Sequence, residues 1–277
     1  MKKILMKYKI IIIIVIGLSI LLAIDTNQYI KQYKENYKIA KEYAESSGEA
    51  FDDSLFPREN VVNMIEIYFN DGYFSVIQLV LPILFIVIGV KRFHSKIHSG
   101  YIKNELIRRP YSKVLIKEII LSYKGLVIIP IIVFMCFVFA CLTTKFNFEI
   151  TFTGENWYYV IMWIVNMLII AISIINVGLI LSRNNNNFIV TCLESFLLIF
   201  GYQVIAELVG SSILSKLTGD SFYANGLTFF AFWNGYCDGG VTPIKMNIYA
   251  FILTFISTIF VIFNYIKKEK VIIYAEK

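Results

Sequence analysis

Two histidines four residues apart, His94 and His98, are the side chains whose type and spacing most directly suggest chemistry. If their segment is helical they share one face, where two imidazoles could ligate a metal ion. A metal site would need at least two more ligands, and the neighbouring Arg92 and Lys96 repel a divalent cation. We therefore predict no metal site and interpret the pair as part of a solvated or partner-facing helix.

Polar side chains inside long apolar runs form a second set of candidates, because such groups are costly in lipid. Glu194 falls about 9 Å into an apolar run that begins at Phe188, at about 1.5 Å per residue. Gln78 and Asn166 lie in two other runs. They are most simply interhelical hydrogen-bonding residues. The alternative is that Gln78, Asn166 and Glu194 line a translocation path, and we keep them as its candidates.

The motifs that would identify an enzyme are missing from this sequence. It contains no G-x-x-x-x-G-K-[ST] phosphate loop, no H-E-x-x-H, no G-x-S-x-G and no C-x-x-C. Three of the four cysteines fall inside apolar runs, so no disulfide framework is suggested. We expect that this chain is not an enzyme, has no catalytic residues and carries no cofactor of its own.

Composition identifies the elements that must position these residues. The chain is 57% hydrophobic, whereas soluble domains contain about 45–50% apolar residues. Apolar runs of roughly the 20 residues that a membrane-spanning helix needs occur at 10–24, 72–90, 125–142, 158–182, 188–209 and 247–266. We predict an all-α polytopic membrane protein, with six transmembrane helices forming a single domain over 1–277. The first run is interpreted as an uncleaved span; a signal peptide is the alternative.

The distribution of Lys and Arg predicts the orientation. Eighteen of the 26 fall in the N-terminal tail, the 91–124 segment, the 183–187 turn and the C-terminal tail. Cationic loops stay inside, so both termini and 91–124 are predicted to be cytoplasmic. The 25–71 segment then becomes a long outer loop whose first part has helical spacing. The mostly apolar stretch 222–233 is too short to span and predicts a re-entrant hairpin before helix 6, or a loop lying on the outer leaflet.

The cationic segment 91–124 connects the second and third spans and reads as a short amphipathic elbow. It continues as helix from Phe93, breaks at Ser99-Gly100, resumes as "IKNELIRR", stops at Pro110 and then rises into the third span. One interpretation is an anchor to anionic lipid, since each cation near such a surface contributes about 1 kcal/mol. The other is a docking surface for a cytoplasmic partner.

With its six spans, internal termini and long first outer loop, the chain resembles the permease subunits of ABC-2 type transporters. In that family a Gly-Thr-hydrophobic run, a Leu-rich turn, a Pro-x-Ser-Arg motif and a Lys mark the elbow that contacts the ATPase. The matching places, with Tyr in the position of the family's Thr, are Gly100, Tyr101, Ile102, Pro110, Ser112, Lys113 and Lys117. The resemblance covers nearly the whole chain by topology and the elbow by motif.

The resemblance implies a division of labour, in which ATP and Mg²⁺ bind a separate cytoplasmic nucleotide-binding ATPase subunit. It also implies pairing with a second permease copy or a related permease, and no nucleic-acid partner. The residues expected to dock the ATPase are His94, Lys96, His98, Tyr101, Asn104 and Arg108. The cargo would be an antimicrobial peptide, a lipid-like compound or a drug exported across a bacterial plasma membrane. A non-transporting scaffold or sensor, and an intramembrane peptidase, are the alternatives.

Overall fold

The computed structural model of the protein is all-helical in the parts of the chain that it describes. These are residues 13, 17, 20, 24, 28, 31–48, 50–51, 73–99, 101–106, 109–127, 131, 138, 154–220, 223, 227 and 243–266. Three helices are long and apolar enough to cross a membrane, at Ile164–Ser182, Phe188–Thr218 and Asn247–Tyr265. The predicted all-α class is confirmed for these residues, and the three helices indicate a membrane protein.

Contacts divide the chain into two compact units. The first comprises Met1–Ile77 with Pro130–Val160, and the second comprises Gln78–Ile129 with Ile161–Lys277. In the first unit, helix α1 covers 31–47 and ends at Gly48, whose φ of +70° suits a residue without Cβ. Most of its side chains are exposed, and Lys38 and Glu42 pair one turn apart at 3.6 Å. This agrees with the solvated helix predicted at the start of the outer loop.

Helix α2, Tyr73–His98, continues for eight residues beyond the predicted end of the second span at Val90. Its apolar side chains Phe85, Ile86, Val90 and Phe93 are completely buried. Burial therefore extends past the apolar run into the cationic segment, because Phe93 also packs edge-on against Tyr265 at 5.3 Å between ring centroids.

The elbow consists of two helices separated by a proline. Helix α3, Tyr101–Leu106, is short, and Pro110 immediately precedes helix α4, Tyr111–Ser122, where its extended backbone supplies the N-cap position. A 3-10 turn, Tyr123–Val127, follows directly. The sequence predicted the break near Gly100 and the stop at Pro110, and the elements change at these two places.

Helix α5, Gly154–Ser182, and helix α8, Pro243–Ile266, run parallel and are joined by polar side chains along their length. Side chains of α8 donate to main-chain carbonyls of α5 in the pairs Asn247 to Met162, Thr254 to Ile169 and Asn264 to Ile180. The difference in residue number between the two partners stays nearly constant along the helices. The two helices therefore run in the same direction. Such bonds supply the polar contacts on which helix association in lipid depends.

Helix α6, Phe188–Val209, has the bounds predicted for the fifth span and turns back antiparallel to α5 after the 183–187 turn. It continues through a π-helical turn, Gly210–Leu214, into a last short helix α7, Ser215–Thr218. The continuous helical stretch of 31 residues is longer than the span predicted from the sequence. At about 1.5 Å per residue it exceeds the roughly 30 Å hydrocarbon core, so part of it must lie outside.

Three glycines permit close packing between helices of the second unit. A Cβ on Gly178 of α5 would lie 2.6 Å from Val90 Cγ2 of α2, and one on Gly89 would lie 3.0 Å from the Ser122 carbonyl oxygen. A Cβ on Gly125 would lie 2.5 Å from a methyl group of Ile88. These contacts, together with those at the ends of the helices, show that α2 runs parallel to α5 and that α4 runs antiparallel to α2.

Several predicted features lie outside the described residues. These are most of the first span, 52–72 of the outer loop, the third span beyond Val127 apart from Ile131 and Val138, the re-entrant hairpin apart from Tyr223 and Leu227, and both chain ends.

Candidate functional site

The candidate site is the end of the second unit where the cationic part of α2 meets α4 and the α5–α6 turn. It contains an ion-pair group, formed by Arg92, Lys96 and Glu118, and a histidine pair, formed by His94 and His98. All of these residues except Glu118, which belongs to α4, lie on the last two turns of α2. Helix α2 therefore positions most of the site.

The ion-pair group joins α2 to α4. Lys96 Nζ lies 2.5 Å from Glu118 Oε1, and Arg92 Nε lies 3.5 Å from Glu118 Oε2. The Glu118 side chain is 1% exposed, whereas Arg92 is 47% exposed. A carboxylate buried this deeply requires nearby positive charge, since an uncompensated buried charge is strongly destabilising. The two cations of α2 therefore hold α4 in place.

The histidine pair joins α2 to the turn between α5 and α6. Nε2 of His94 donates to the Asn185 carbonyl at 2.9 Å, and Nε2 of His98 donates to the Ser182 carbonyl at 2.8 Å. The two rings lie 4.4 Å apart between centroids, as expected for the predicted spacing on one helix face. His98 thus satisfies the carbonyl of the last residue of α5, which has no intrahelical partner, and His94 satisfies a carbonyl of the turn that follows.

His94 is the more buried of the two histidines, and its ring also contacts Phe188 at 5.4 Å between centroids. Burial lowers the pKa of His94 below its ordinary value; the hydrogen bond to the Asn185 carbonyl raises the pKa, and the charge of His98 lowers it further. Loss of water around the ring is the largest of these effects, because it disfavours the charged form. The neutral imidazole is thus favoured at this position.

The α5–α6 turn has further polar contacts that connect it to α6 and α8. Asn187 caps α6 by accepting from the Ile189 amide at 2.9 Å. The Arg183 guanidinium donates to the Asn264 carbonyl of α8 and to its side-chain oxygen. The turn is consequently anchored to the helix that follows it and to α8 as well as to α2.

The translocation candidates occupy different environments. Asn185 Nδ2 donates to Glu194 Oε2 at 2.6 Å, which places the Glu194 carboxylate beside the α5–α6 turn. Asn166 is buried at 2% exposure on α5. Gln78 lies on α2, and its side chain is not among those described. The structure therefore does not bring these three together in one group, and their role in a path stays a prediction.

Asn176 is the polar residue of α5 with the most interhelical contacts among those described. Its Nδ2 donates to Ser257 Oγ and Thr258 Oγ1 of α8, both at 3.0 Å, and its Oδ1 accepts from Tyr123 Oη at 2.6 Å. The expectation that polar residues within the spans form interhelical hydrogen bonds holds at this residue. It links α5, α8 and the 3-10 turn at one completely buried point.

The remaining docking candidates lie on or near α3. The Tyr101 hydroxyl donates to Glu105 Oε1 at 2.7 Å, and this bond is the main reason that the pKa of Glu105 is lowered. Lys96 Nζ sits 4.4 Å from the centre of the Tyr101 ring, a cation–π contact that fastens α3 to α2. Asn104 lies on α3, but its side chain is not among those described. Arg108 lies outside the described residues.

The six docking candidates thus differ in accessibility. His94, Lys96, His98 and Tyr101 all make contacts within the chain, but His94 and Lys96 are buried or half-buried, whereas His98 and Tyr101 are exposed. Glu118 was the functional residue that sequence reasoning missed. A signal for it existed, because Val114, Glu118 and Ser122 recur at helical spacing and share a buried face.

Comparisons with known proteins add no family to these observations. No protein-family model, no curated protein and no solved structure matches this chain. Within the described residues no group of three or more His, Cys, Asp and Glu side chains could hold a metal ion.

Proposed function

We propose that this chain is the membrane-spanning permease subunit of an ABC transporter, which exports its substrate with energy from a separate ATPase subunit. The observation that carries the proposal is the attachment of the elbow to the membrane helices through polar contacts. Lys96 and Glu118 join α2 to α4, and the histidine pair joins α2 to the α5–α6 turn. A displacement applied to α4 is therefore transmitted through the ion pair to α2, and from α2 through the histidine pair to the end of α5 and the α5–α6 turn.

The six-span topology is part of the same proposal. Successive spans must alternate in direction, so the second, fourth and sixth run one way and the third and fifth run the other. The parallel arrangement of α2, α5 and α8, with α6 antiparallel to them, supports this alternation, and α4 of the elbow approaches the third span in the direction opposite to α2. The excess of Lys and Arg at one end supports cytoplasmic termini and a cytoplasmic elbow in a bacterial plasma membrane.

In the proposed mechanism, ATP and Mg²⁺ bind the partner and close its subunits. The partner docks on the elbow, with the exposed His98 and Tyr101 as first contacts and with Asn104 and Arg108 as further proposed contacts. Closure tilts α2 and α4, and the connected α5–α6 turn follows. A second permease copy, or a related one, completes the path. Gln78, Asn166 and Glu194 are the polar residues that this chain is proposed to contribute to the lining of the path.

The substrate is proposed to be an antimicrobial peptide, a lipid-like compound or a drug. The described part of the outer helix, α1, carries Lys and Glu in nearly equal number. Attraction of a cationic peptide to the outer face would therefore depend on the acidic stretch that follows α1 in the sequence.

The proposal is tested by purifying the tagged chain together with the cytoplasmic ATPase that it captures. We expect an ATPase with a phosphate loop, whose hydrolysis rate changes when the permease is reconstituted in lipid bilayers. Cells expressing both subunits should survive higher concentrations of members of a panel of cationic antimicrobial peptides. Replacing Tyr101 by alanine should reduce capture of the ATPase, whereas the matched replacement of Tyr43 on α1 should not.

Other outcomes would favour the alternative functions. An ATPase that binds the chain but hydrolyses ATP at an unchanged rate would indicate a scaffold or sensor. Peptide cleavage by the purified chain alone would indicate a membrane-embedded peptidase. Either result would contradict the transport proposal.

A further inference from the structure

The exposed side of α4 and its 3-10 turn carries two neighbouring lines of side chains, one cationic and one apolar. Lys113, Lys117 and Lys124 are all exposed and recur at intervals of four and seven residues, which places them on one line. Ile116 and Ile120 form the adjacent line and are 56% and 59% exposed. We call these five residues the lysine–isoleucine stripe.

The stripe faces away from the packed interior. The opposite face of α4 buries Val114, Leu115, Glu118 and Ser122. Because the Glu118 carboxylate turns inward to Lys96 and Arg92, it does not neutralise the lysines of the stripe.

Glu105 of α3 has a carboxylate that is affected by the charge of the stripe. Lys117 contributes to the lowered pKa of Glu105, after the larger effect of the Tyr101 hydroxyl. Lys113 and Lys124 form no ion pair with the described part of the chain. Within the described residues, the stripe thus presents at least two ammonium groups without an ion-pair partner beside exposed apolar side chains.

The contacts between α4 and α2 give the level of the stripe relative to the apolar run of α2. The Ser122 carbonyl lies beside Gly89, and Gly125 lies beside Ile88, near the end of the apolar run 72–90. Lys124 is therefore level with the edge of that run, and Lys117 lies about two turns further toward its polar end. A lysine at an apolar boundary extends its ammonium toward the headgroups while its methylene stem stays against apolar surface.

We propose that the lysine–isoleucine stripe binds an anionic phospholipid of the inner leaflet. The phosphate lies between Lys117 and Lys124, and Lys113 adds attraction from the cytoplasmic side. Ile120 contacts the glycerol part of the lipid, and the acyl chains extend from Lys124 past the exposed Val127. The inference rests on the inner placement of the elbow in the proposed function, but not on transport.

A lipid fits the stripe better than a soluble protein partner does. Lys124 and the exposed Val127 sit beside the apolar run of α2, at a level that a cytoplasmic subunit does not reach. The lysines of the stripe can bind a phosphate at this level, and the exposed apolar side chains beside them can contact the apolar part of a lipid.

The test compares lipid binding by the full chain and its variants. Detergent-solubilised protein is titrated with equal amounts of dioleoyl-phosphatidylglycerol and dioleoyl-phosphatidylcholine, and the bound lipids are counted by native mass spectrometry. We expect the wild type to prefer phosphatidylglycerol. Each Lys→Gln replacement in the stripe should weaken that preference by about fivefold, and all three together by on the order of a hundredfold. The preference should also fall as salt concentration rises.

Two matched variants serve as controls. Replacing Lys113, Lys117 and Lys124 by arginine keeps the charge and should keep the preference. The second variant removes the same charge elsewhere, by replacing three exposed lysines of α1 with glutamine: Lys31, Lys38 and Lys41. This variant should leave the preference for phosphatidylglycerol unchanged.

The inference is overturned if the wild type binds both lipids equally, if the triple glutamine variant keeps the preference, or if the α1 control loses as much. Loss of ATPase capture with unchanged lipid preference would assign the stripe to protein docking and would also overturn it. A lysine-dependent preference in a chain that captures no ATPase would sustain this inference while the transporter proposal fails.

Discussion

The pair formed by Lys96 and Glu118 gives the sharpest prediction, because its two members differ in burial. Glu118 is 1% exposed and Lys96 is 19% exposed, with 2.5 Å between Nζ and Oε1. Replacing Lys96 by methionine leaves a buried carboxylate with only the half-exposed Arg92 nearby. Replacing Glu118 by glutamine leaves a cation that can reach solvent and an amide that can still accept a hydrogen bond.

The expected losses follow from that asymmetry. Removing one partner of a buried ion pair costs about 3–5 kcal/mol, and the remaining Arg92 reduces this, so K96M should lower the free energy of unfolding by about 2–3 kcal/mol. E118Q should lower it by about 1 kcal/mol, the ordinary value of a weakened hydrogen bond. The double variant should lose less than the sum of the two, by about 1–2 kcal/mol.

The assay is reversible unfolding in mixed detergent micelles, with helix content as the signal. A matched control exists in α1, where Lys38 and Glu42 lie 3.6 Å apart with both side chains mostly exposed. The corresponding changes there, K38M and E42Q, should each alter stability by less than about 0.5 kcal/mol, because water already screens that pair.

Two results would refute the reasoning. Losses that are equal for K96M and E118Q would mean that the carboxylate is not held in a buried environment by Lys96. Additive effects in the double variant would mean that the two side chains do not interact.

Three further predictions use the same unfolding assay. Asn176→Leu should cost about 1–2 kcal/mol, since it removes hydrogen bonds to α8 and the 3-10 turn; an unchanged midpoint would contradict this. Gly178→Ala should cost about 1–3 kcal/mol, because its Cβ would meet Val90, whereas Gly201→Ala, with nothing within 4 Å, should be neutral or slightly stabilising. For His94, the pKa is lower in the folded chain, so the unfolded chain binds a proton more readily. Stability should therefore be complete above about pH 6.5 and decline as pH falls from there through the folded-state pKa, and H94Q should decline less.

The sequence predicted the helices better than it predicted their contacts. The fifth span was predicted with the bounds that α6 has, because a mostly apolar run of 22 residues follows the polar 183–187 turn. The break before α4 followed from Pro110. Apolar runs, caps and prolines act over a few residues, so they can be read locally.

Side-chain contacts of the candidate site could not be read in this way. His94 binds a carbonyl 91 positions away in the sequence, and Asn176 binds α8 residues 81 and 82 positions away. Nothing local to the histidines indicates that a turn between two other helices will supply their acceptors. Glu118 differs from these residues, since its helical spacing from Val114 and Ser122 was a local signal, although the sequence analysis did not use it.

The central claim, that the elbow receives a cytoplasmic ATPase, is tested most directly by photocross-linking from position 101 in living cells. Tyr101 is exposed on α3, so a photoreactive residue there can reach a docked partner. The account predicts a cross-link to a cytoplasmic protein that has a phosphate loop, and no such product from position 43 on α1. Labelling of position 101 by a membrane-impermeant reagent added outside the cell, or cross-links only to extracellular proteins, would contradict it.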